Sequence, residues 1–562
     1  LKAEKNRQEA IMSILPLETT SSAYAYPLLI KSLLHTPLTS AADQQIVYAD
    51  RVRYTYRTFR DRIGRLGNAL IGLGIRPGDT VGVLDWDSHR YLECYFAVPS
   101  IGAVLHMVNM RLSPEQILYT INHATDDVLL VHAEFLPLLE GISDRIETVR
   151  TIILLADDDQ RPATTLALAG EYEELLAAAP PYFEFPDFDE NTRATTFYTT
   201  GTTGLPKGVC FSHRQLVLHT LAVAATFGAN PVQGRLHRGD VYMPITPMFH
   251  VHAWGFPYVA TMLGLRQVYP GRYTPERLAR LLLQEKVTFS HCVPTLLHML
   301  LSCPETKDID LSGWKVVIGG SALPKRLASI ALERGIDVFA GYGMSETCPV
   351  LTIAHLPPRW EAGKSPNDDA ATRCRAGRVI PLVELQIIGP DGEILPQDGR
   401  SAGEIVARAP WLTQAYFRNG PATTDLWRGG YLHTGDIGTI DQDGWVQITD
   451  RAKDVIKTGG EWVSSLEIED ILSQQAAVSE AAVVAIPDQR WGERPLALVV
   501  LKADADENVT PKQLREHVAR YAEKGLISKY AVPDAIRLVD AIPRTSVGKV
   551  DKKALRQAYA NS

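Results

Sequence analysis

Between Thr199 and Gly208 the chain reads Thr-Thr-Gly-Thr-Thr-Gly-Leu-Pro-Lys-Gly. Gly201, Gly204 and Gly208 let the main chain approach an anion closely and aim N–H groups at it. The hydroxyls of Thr199, Thr200, Thr202 and Thr203 add donors, and Lys207 supplies a positive charge. The chemistry this composition serves is the cradling of nucleotide phosphates. Spacing excludes two familiar alternatives. No window reads G-x-x-x-x-G-K-[ST], because Gly208 rather than a hydroxyl residue follows the lysine. Gly341-Tyr-Gly-Met-Ser-Glu346 is not a dinucleotide fingerprint either, since Glu346 stands where the third glycine belongs. A polar surface turn has a similar composition, so the flanks matter. An apolar strand precedes the loop, the strand Val209-Cys-Phe211 follows it, and Ser212 with Gln215 predicts a capping box for a helix beginning at His213.

The loop is one of five motifs. Tyr198-Thr-Thr-Gly-Thr-Thr-Gly-Leu-Pro-Lys-Gly208, Gly341-Tyr-Gly-Met-Ser-Glu-Thr347, Tyr431-Leu-His-Thr-Gly-Asp436, Asp450-Arg-Ala-Lys-Asp454 and Pro543-Arg-Thr-Ser-Val-Gly-Lys549 occur in that order. In order and spacing they resemble the core motifs of the adenylate-forming (ANL) superfamily, which contains acyl-CoA synthetases, luciferases and peptide-synthetase adenylation domains. The resemblance spans about Tyr26 to the C-terminus. Within the superfamily the sequence is similar to bacterial medium- and long-chain fatty acyl-CoA synthetases through Pro247-Met-Phe-His-Val-His-Ala-Trp-Gly255 and Lys457-Thr-Gly-Gly-Glu-Trp462.

The resemblance implies an ATP- and Mg2+-dependent reaction in which a carboxylic acid becomes an acyl adenylate with release of pyrophosphate, and CoA then takes the acyl group and releases AMP. It assigns Mg2+ to Glu346 and Thr200, and phosphate contacts to Thr347 and the 199–203 hydroxyls. The ribose falls to Asp436 and Arg451, and the adenine to Tyr342 and the Gly320-Ser321-Ala322 backbone. Gly341, Gly343 and Ile448 border the nucleotide. Lys549 bridges carboxylate and α-phosphate during adenylation, stabilising charge that develops in the transition state. For the second step the C-terminal domain turns about Lys453, withdraws Lys549 and presents the loop of Gly459, Gly460, Glu461 and Trp462 to CoA. Lys457 matches a lysine that some family members use in that state and many replace.

The acyl site is placed in the stretch Val241–Leu265, which contains no Asp, Glu, Lys or Arg. Phe249 is followed by His250 and not by the Asp that peptide-synthetase domains use to bind a substrate amine, so an uncharged acid tail fits. By resemblance Trp254 gates a tunnel lined by Gly319 and Gly341, with His250 and Val251 near the carboxylate; ordinary core packing explains a buried Trp or His equally well. The favoured substrate is a medium- or long-chain fatty acid. The alternatives are a short non-standard acid, such as the methylthio-alkanoate 3-methylmercaptopropionate, or an aryl carboxylate. A catalytically silent nucleotide-binding protein and transfer to a carrier protein are the readings from outside this chemistry.

Distant motifs require a scaffold. Apolar runs at Thr80–Leu84, Asp127–Val131 and Thr151–Leu155 alternate with helical stretches at Thr58–Leu73 and Glu115–His123, the pattern of a largely parallel sheet with covering helices. The alternation continues to about Gly341. Beyond it, Val383–Ile388, Gly403–Arg408 and Trp445–Ile448, punctuated by Asp-Gly pairs, predict a smaller β subdomain. A capped helix from Ser464, strands at Ala481–Ile486, Leu496–Lys502 and Ala535–Val539, and a helix at Thr510–Tyr521 predict a small α+β unit. The expected fold is therefore α/β, with an N-terminal adenylation domain over 1–452 and a mobile C-terminal domain over 453–562.

At 562 residues the chain is too long for one core, and 45% hydrophobic with 22% charged residues is an ordinary globular composition. Lys+Arg of 57 against Asp+Glu of 65 gives a net charge of −8, the wrong sign for a partner that is mainly nucleic acid or anionic lipid. Six cysteines form no CxxC pair, which fits a reducing compartment without zinc or disulfides. Pro244, Pro247 and Pro257 break the charge-free stretch, so it reads as a buried wall and not as a membrane span. Met12 reads as the natural start, with residues 1–11 upstream of it. The expected location is the cytoplasm and the expected assembly a homodimer, the latter by family resemblance alone.

Overall fold

The computed structural model describes residues 17–157, 161–199, 205–231, 233–307, 309–356, 366–458, 461–502, 509–544 and 550–559. Two large sheets form the scaffold. In the first, seven strands run in the order Leu168–Glu171, Thr151–Leu155, Asp126–His132, Thr80–Leu84, Val104–Met107, Arg193–Thr199 and Lys207–Ser212. All neighbours are parallel except the last pair, an antiparallel hairpin whose connection is the Gly/Thr/Lys loop. The predicted strands Thr80–Leu84 and Thr151–Leu155 are present with those bounds. The helices His89–Ser100 and Pro114–Ala124 are crossovers that return Val104–Met107 and Asp126–His132 in the direction of the strand before each.

The second sheet has nine strands, parallel through Asp337–Gly343, Lys315–Ile318, Phe289–Cys292, Val241–Pro244, Arg266–Tyr269 and Gln45–Tyr48, and antiparallel at both edges. Gln45–Tyr48 pairs with Arg266–Tyr269, so an N-terminal segment completes a sheet built mostly from much later sequence. The capping box of Ser212 and Gln215 starts the helix His213–Ala229, as the sequence predicts.

An antiparallel subdomain follows, Glu384–Ile388, Gly403–Arg408, Tyr431–Ile440 and Trp427–Arg428, with Val446–Arg451 on Tyr431–Ile440. The C-terminal region places Glu461–Val463, Ile456–Thr458, Gly492–Leu501 and Val478–Asp488 in one sheet with Ala535–Leu538. Its helices are Ser465–Ser473, Pro511–Glu523 and Lys552–Tyr559. One apolar core extends from Ile30 to Val446. The residues from Ile456 onward build two cores of their own, as a unit able to move as a body must.

The charge-free stretch is the buried wall that its prolines require: Ile245, Met248, Phe249, Val251, Ala253, Trp254 and Phe256 are all buried. Among the described residues no helix is long and apolar enough to cross a membrane.

Candidate active site

The Gly/Thr/Lys motif is carried by the hairpin, in which Thr199 faces Lys207 and its hydroxyl lies 3.5 Å from the Lys207 carbonyl oxygen. Thr200, Gly201, Thr202, Thr203 and Gly204 lie outside the described residues. The Lys207 ammonium sits 4.8 Å above the ring of Tyr416. Tyr416 Oη in turn donates to Glu346 Oε1 at 2.6 Å. Residues 411–417 bring these groups together by running beside the second hairpin strand: Phe417 N donates to Gly208 O at 2.8 Å and Thr413 N to Glu346 O at 2.9 Å. Burial first, and Glu346 second, hold the Tyr416 phenol protonated, so it remains a donor to the carboxylate. Sequence reasoning missed Tyr416 and Thr413. Their only signal is an aromatic-rich segment, Trp411-Leu-Thr-Gln-Ala-Tyr-Phe417, in a connection where turn residues are the norm.

Glu346 Oε2 receives no hydrogen bond from a described residue, and the described residues contain no cluster of three metal-ligating side chains. One carboxylate with an oxygen that accepts no hydrogen bond from a described residue is a donor set that Mg2+ uses when substrate phosphates supply the remaining ligands, so the residues fit that ion.

At the sugar end, Tyr342 Oη donates to Asp436 Oδ2 at 2.8 Å, and Arg451 Nε lies 3.3 Å from Asp436 Oδ1. Register explains the second contact, because Asp436 and Arg451 are direct partners in the antiparallel pair. Ile448 opposes Gly438 in the same pair. Gly320, at φ +77°, begins the loop that leaves Lys315–Ile318 from the same sheet edge as Gly341–Gly343, with Ser321 and Ala322 exposed. This is the carboxyl edge of a parallel sheet, where ligands of such folds bind.

The segment from Tyr342 to Glu346 ties both ends together over at most about 14 Å of chain. Its path is tight: a Cβ on Gly343 would lie 1.7 Å from the Pro349 carbonyl oxygen. Thr347, read from the sequence as a phosphate contact, lies at the end of this segment and closes the turn. Its buried hydroxyl accepts from Met344 N at 3.0 Å and donates to Pro349 O.

At the acid end, Val251, His252, Ala253 and Trp254 all have positive φ, from 46° to 59°, and Gly255 follows at 78°. A left-handed turn costs non-glycine residues roughly 1–2 kcal/mol each, so its surroundings must hold it. His252 Nε2 bonds Thr195 Oγ1 at 2.8 Å, Tyr95 Oη donates to Met248 O, and Asp87 Oδ1 accepts from Met248 N at 2.9 Å. Burial lowers the His252 imidazole to about 3, which keeps it neutral. The turn lays the Trp254 indole on Gly319, where a Cβ would come within 3.0 Å of the ring and 3.3 Å of the Gly341 carbonyl oxygen. Trp254, Gly319 and Gly341 thus lie together, Val251 is buried at the start of the turn, and His250 beside it is half-buried.

Asp87 gives this wall a pH dependence. Desolvation pushes its carboxyl up to about 7, opposed by the Met248 N–H, Tyr273 and Arg111 and reinforced by Asp85. From the ordinary carboxylate range up to pH 7 the folded chain keeps a proton that the unfolded chain has released. Stability therefore falls as pH rises through that window, by up to about 1.4 kcal/mol per pH unit. Asp87→Asn removes the titration, and its melting temperature should exceed that of wild type by more at pH 8 than at pH 5. Equal offsets at the two pH values would rule out Asp87 as the titrating group.

The C-terminal residues sit on a separate frame. Lys453 stands between Ala452, whose N–H bonds Gly435 O of the β subdomain at 2.9 Å, and Asp454, which pairs with Arg556 of the C-terminal helix at 2.5 Å. Lys457 is exposed, opposite Trp462 in a short hairpin. Glu461 and Trp462 lie in the strand Glu461–Val463, while Gly459, Gly460 and Lys549 lie outside the described residues. The flanks of Lys549 are joined by a bridge between Arg544 and Val550 and by Asp551 N donating to Pro543 O at 2.8 Å. Lys325–Asp470, 3.3 Å apart, links the two units.

Parallel sheets with nucleotide-binding motifs gathered on their carboxyl edge, and a separate C-terminal unit, define an adenylate-forming enzyme. The chain belongs to the AMP-binding enzyme family, which it matches over residues 36–417, and it matches the AMP-binding enzyme C-terminal domain over 467–549. In class it is an AMP-forming acid–CoA ligase. It is 42% identical to a long-chain-fatty-acid–CoA ligase of Thermus thermophilus, covering 91% of both chains. To a 3-methylmercaptopropionyl-CoA ligase of Ruegeria pomeroyi it is 39% identical, covering 89% of this chain and 90% of the relative. Among solved structures, an anthranilate CoA ligase in complex with anthranoyl-AMP superposes with a TM-score of 0.83 at 26% identity, covering 95% of this chain and 98% of that one.

Proposed function

We propose that the protein activates a carboxylic acid with an uncharged tail, using ATP, and passes the acyl group to CoA, with Asp436, Arg451 and Tyr342 on the ribose and Glu346, Lys207 and the 199–204 loop on the phosphates. Mg2+ bound with the nucleotide would be held by Glu346 and would neutralise the leaving pyrophosphate. The observation that carries this reading is the Tyr342-to-Glu346 segment, which joins the ribose contact of Asp436 to the phosphate-side contact of Tyr416. The acid lies along the apolar 247–256 wall, where buried side chains offer no counter-charge to a substrate amine. Fatty acids of medium or long chain and short methylthio acids both meet that requirement.

The turn at Lys453 is the hinge of this reading. One of its neighbours is bonded to the large unit and the other to the small one, so a change in its dihedrals moves the C-terminal body without breaking either core. One orientation brings Lys549 to the acid and α-phosphate. The other brings Lys457 and the 459–462 segment to CoA. Acid-dependent ATP–pyrophosphate exchange, followed by thioester formation on adding CoA, tests the sequence of steps. Absence of exchange with every acid in a panel of aliphatic and aryl carboxylates would overturn the proposal.

A further inference from the structure

Behind Trp254 lies a side chain that the reaction does not use. His291 sits on the central strand Phe289–Cys292 of the nine-stranded sheet, between Pro244 and Val317, and is fully buried. Its ring centroid is 5.1 Å from that of Trp254 and 4.9 Å from that of Phe256, whose plane differs from its own by only 20°. Phe289 and Phe227 close the space behind Phe256, at 5.2 and 5.4 Å.

The imidazole is fixed in this place by hydrogen bonds. Thr246 Oγ1 donates to the His291 carbonyl oxygen at 3.3 Å, which makes it the acceptor for His291 Nδ1–H at 3.1 Å. Nε2 is then the acceptor for Tyr242 Oη at 2.8 Å. Burial holds the ring neutral, in keeping with one donor and one acceptor nitrogen. Trp254 is held differently: it makes no side-chain hydrogen bond to a described residue, and only ring packing and the bare backbone of Gly319 confine it. Trp254 is thus the less firmly held of the two rings. Displacing His291 leaves buried polar groups of His291, Tyr242 and Thr246 unpaired.

We propose that His291 is a specificity-determining residue that sets the depth of the acyl site, so that the enzyme prefers short acids, of the size of 3-(methylthio)propanoate or butanoate, over long-chain fatty acids. The inference rests on the reading that the acid lies along the 247–256 wall. An alkyl tail that passes Trp254 meets the locked imidazole and stops there. The bulk of the imidazole, and not its charge, does this.

The test is ATP–pyrophosphate exchange with butanoate, 3-(methylthio)propanoate, octanoate and dodecanoate, using wild type, His291→Ala, His291→Val and Trp254→Ala. Wild type should favour the two short acids by at least tenfold in kcat/KM. Both His291 variants should raise the dodecanoate-to-butanoate ratio tenfold or more, a change in preference that general loss of structure does not produce. The valine variant, which refills part of the volume, answers the question if the alanine variant does not fold. A wild-type preference for dodecanoate would overturn the proposal. So would an unchanged ratio in a folded His291 variant when Trp254→Ala shifts that ratio. If neither Trp254 nor His291 variants alter KM for any acid, the acid does not lie on this wall, and the placement of the acyl site fails along with the inference.

Discussion

Replacing Lys549 with alanine should reduce adenylation about a thousandfold while leaving thioester formation from supplied acyl-AMP within a few-fold of wild type. The asymmetry follows from where charge develops. Joining a carboxylate to the α-phosphorus brings two anions together, and one cation placed between them acts on the transition state more than on the bound ground state; loss of such a group costs about 3–4 kcal/mol. Once the acyl adenylate exists, that charge has left with pyrophosphate. The anchoring of the loop argues that the variant folds. Lys552 pairs with Glu469 at 2.7 Å, Arg544 pairs with Glu480, and Ile542 and Leu555 are buried in one small core, so the flanks do not depend on the lysine. Pre-steady-state formation of acyl-AMP, measured beside CoA-dependent consumption of synthetic acyl-AMP, reads the two steps separately. Equal loss in both would refute the assignment of Lys549 to the first.

Asp436→Ala should lower kcat/KM for ATP by about 10²–10⁴. A carboxylate accepting from two vicinal hydroxyls makes two charge-assisted hydrogen bonds of about 1.5–3 kcal/mol each. The buried position of Asp436, already held by Tyr342 and Arg451, fixes it for that use and removes the entropy of finding it. A sharper reading comes from 2′-deoxy-ATP. Wild type should discriminate against it, whereas the variant, which has no acceptor to leave unpaired, should treat the two nucleotides nearly alike. Undiminished discrimination in the variant would place the ribose elsewhere. Tyr342→Phe, which keeps the carboxylate and removes one of its partners, should show a smaller loss and retain discrimination.

Much of the fold is legible in the sequence because it depends on local periodicity. Thr80–Leu84 and Thr151–Leu155 are short apolar runs between helical stretches, and the capping box at Ser212 is spelled by two residues three apart. The β subdomain announces itself through Asp-Gly turns, and the C-terminal unit through its own alternation of strands and helices. The five motifs are legible because their order and spacing together are specific, although a Gly/Thr-rich loop alone has the composition of a surface turn.

Other features depend on packing between segments far apart in the chain. Tyr416 reaches Glu346 because residues 411–417 dock beside the phosphate hairpin, and no spacing rule connects position 416 to position 346. The charge-free stretch reads as a buried wall, yet its left-handed turn at Val251–Trp254 violates local preference and exists because Asp87, Tyr95, Thr195 and His219 surround it. Thr347 shows the same dependence, since its hydroxyl meets the carbonyl of Pro349 only once the turn closes. The sequence by itself determined the class of chemistry, through residue types at short fixed intervals. Only the tertiary structure decided which groups meet, and above all that a locked imidazole stands behind Trp254, because the depth of a pocket is set by side chains from several strands whose neighbours are chosen by the sheet and not by the chain.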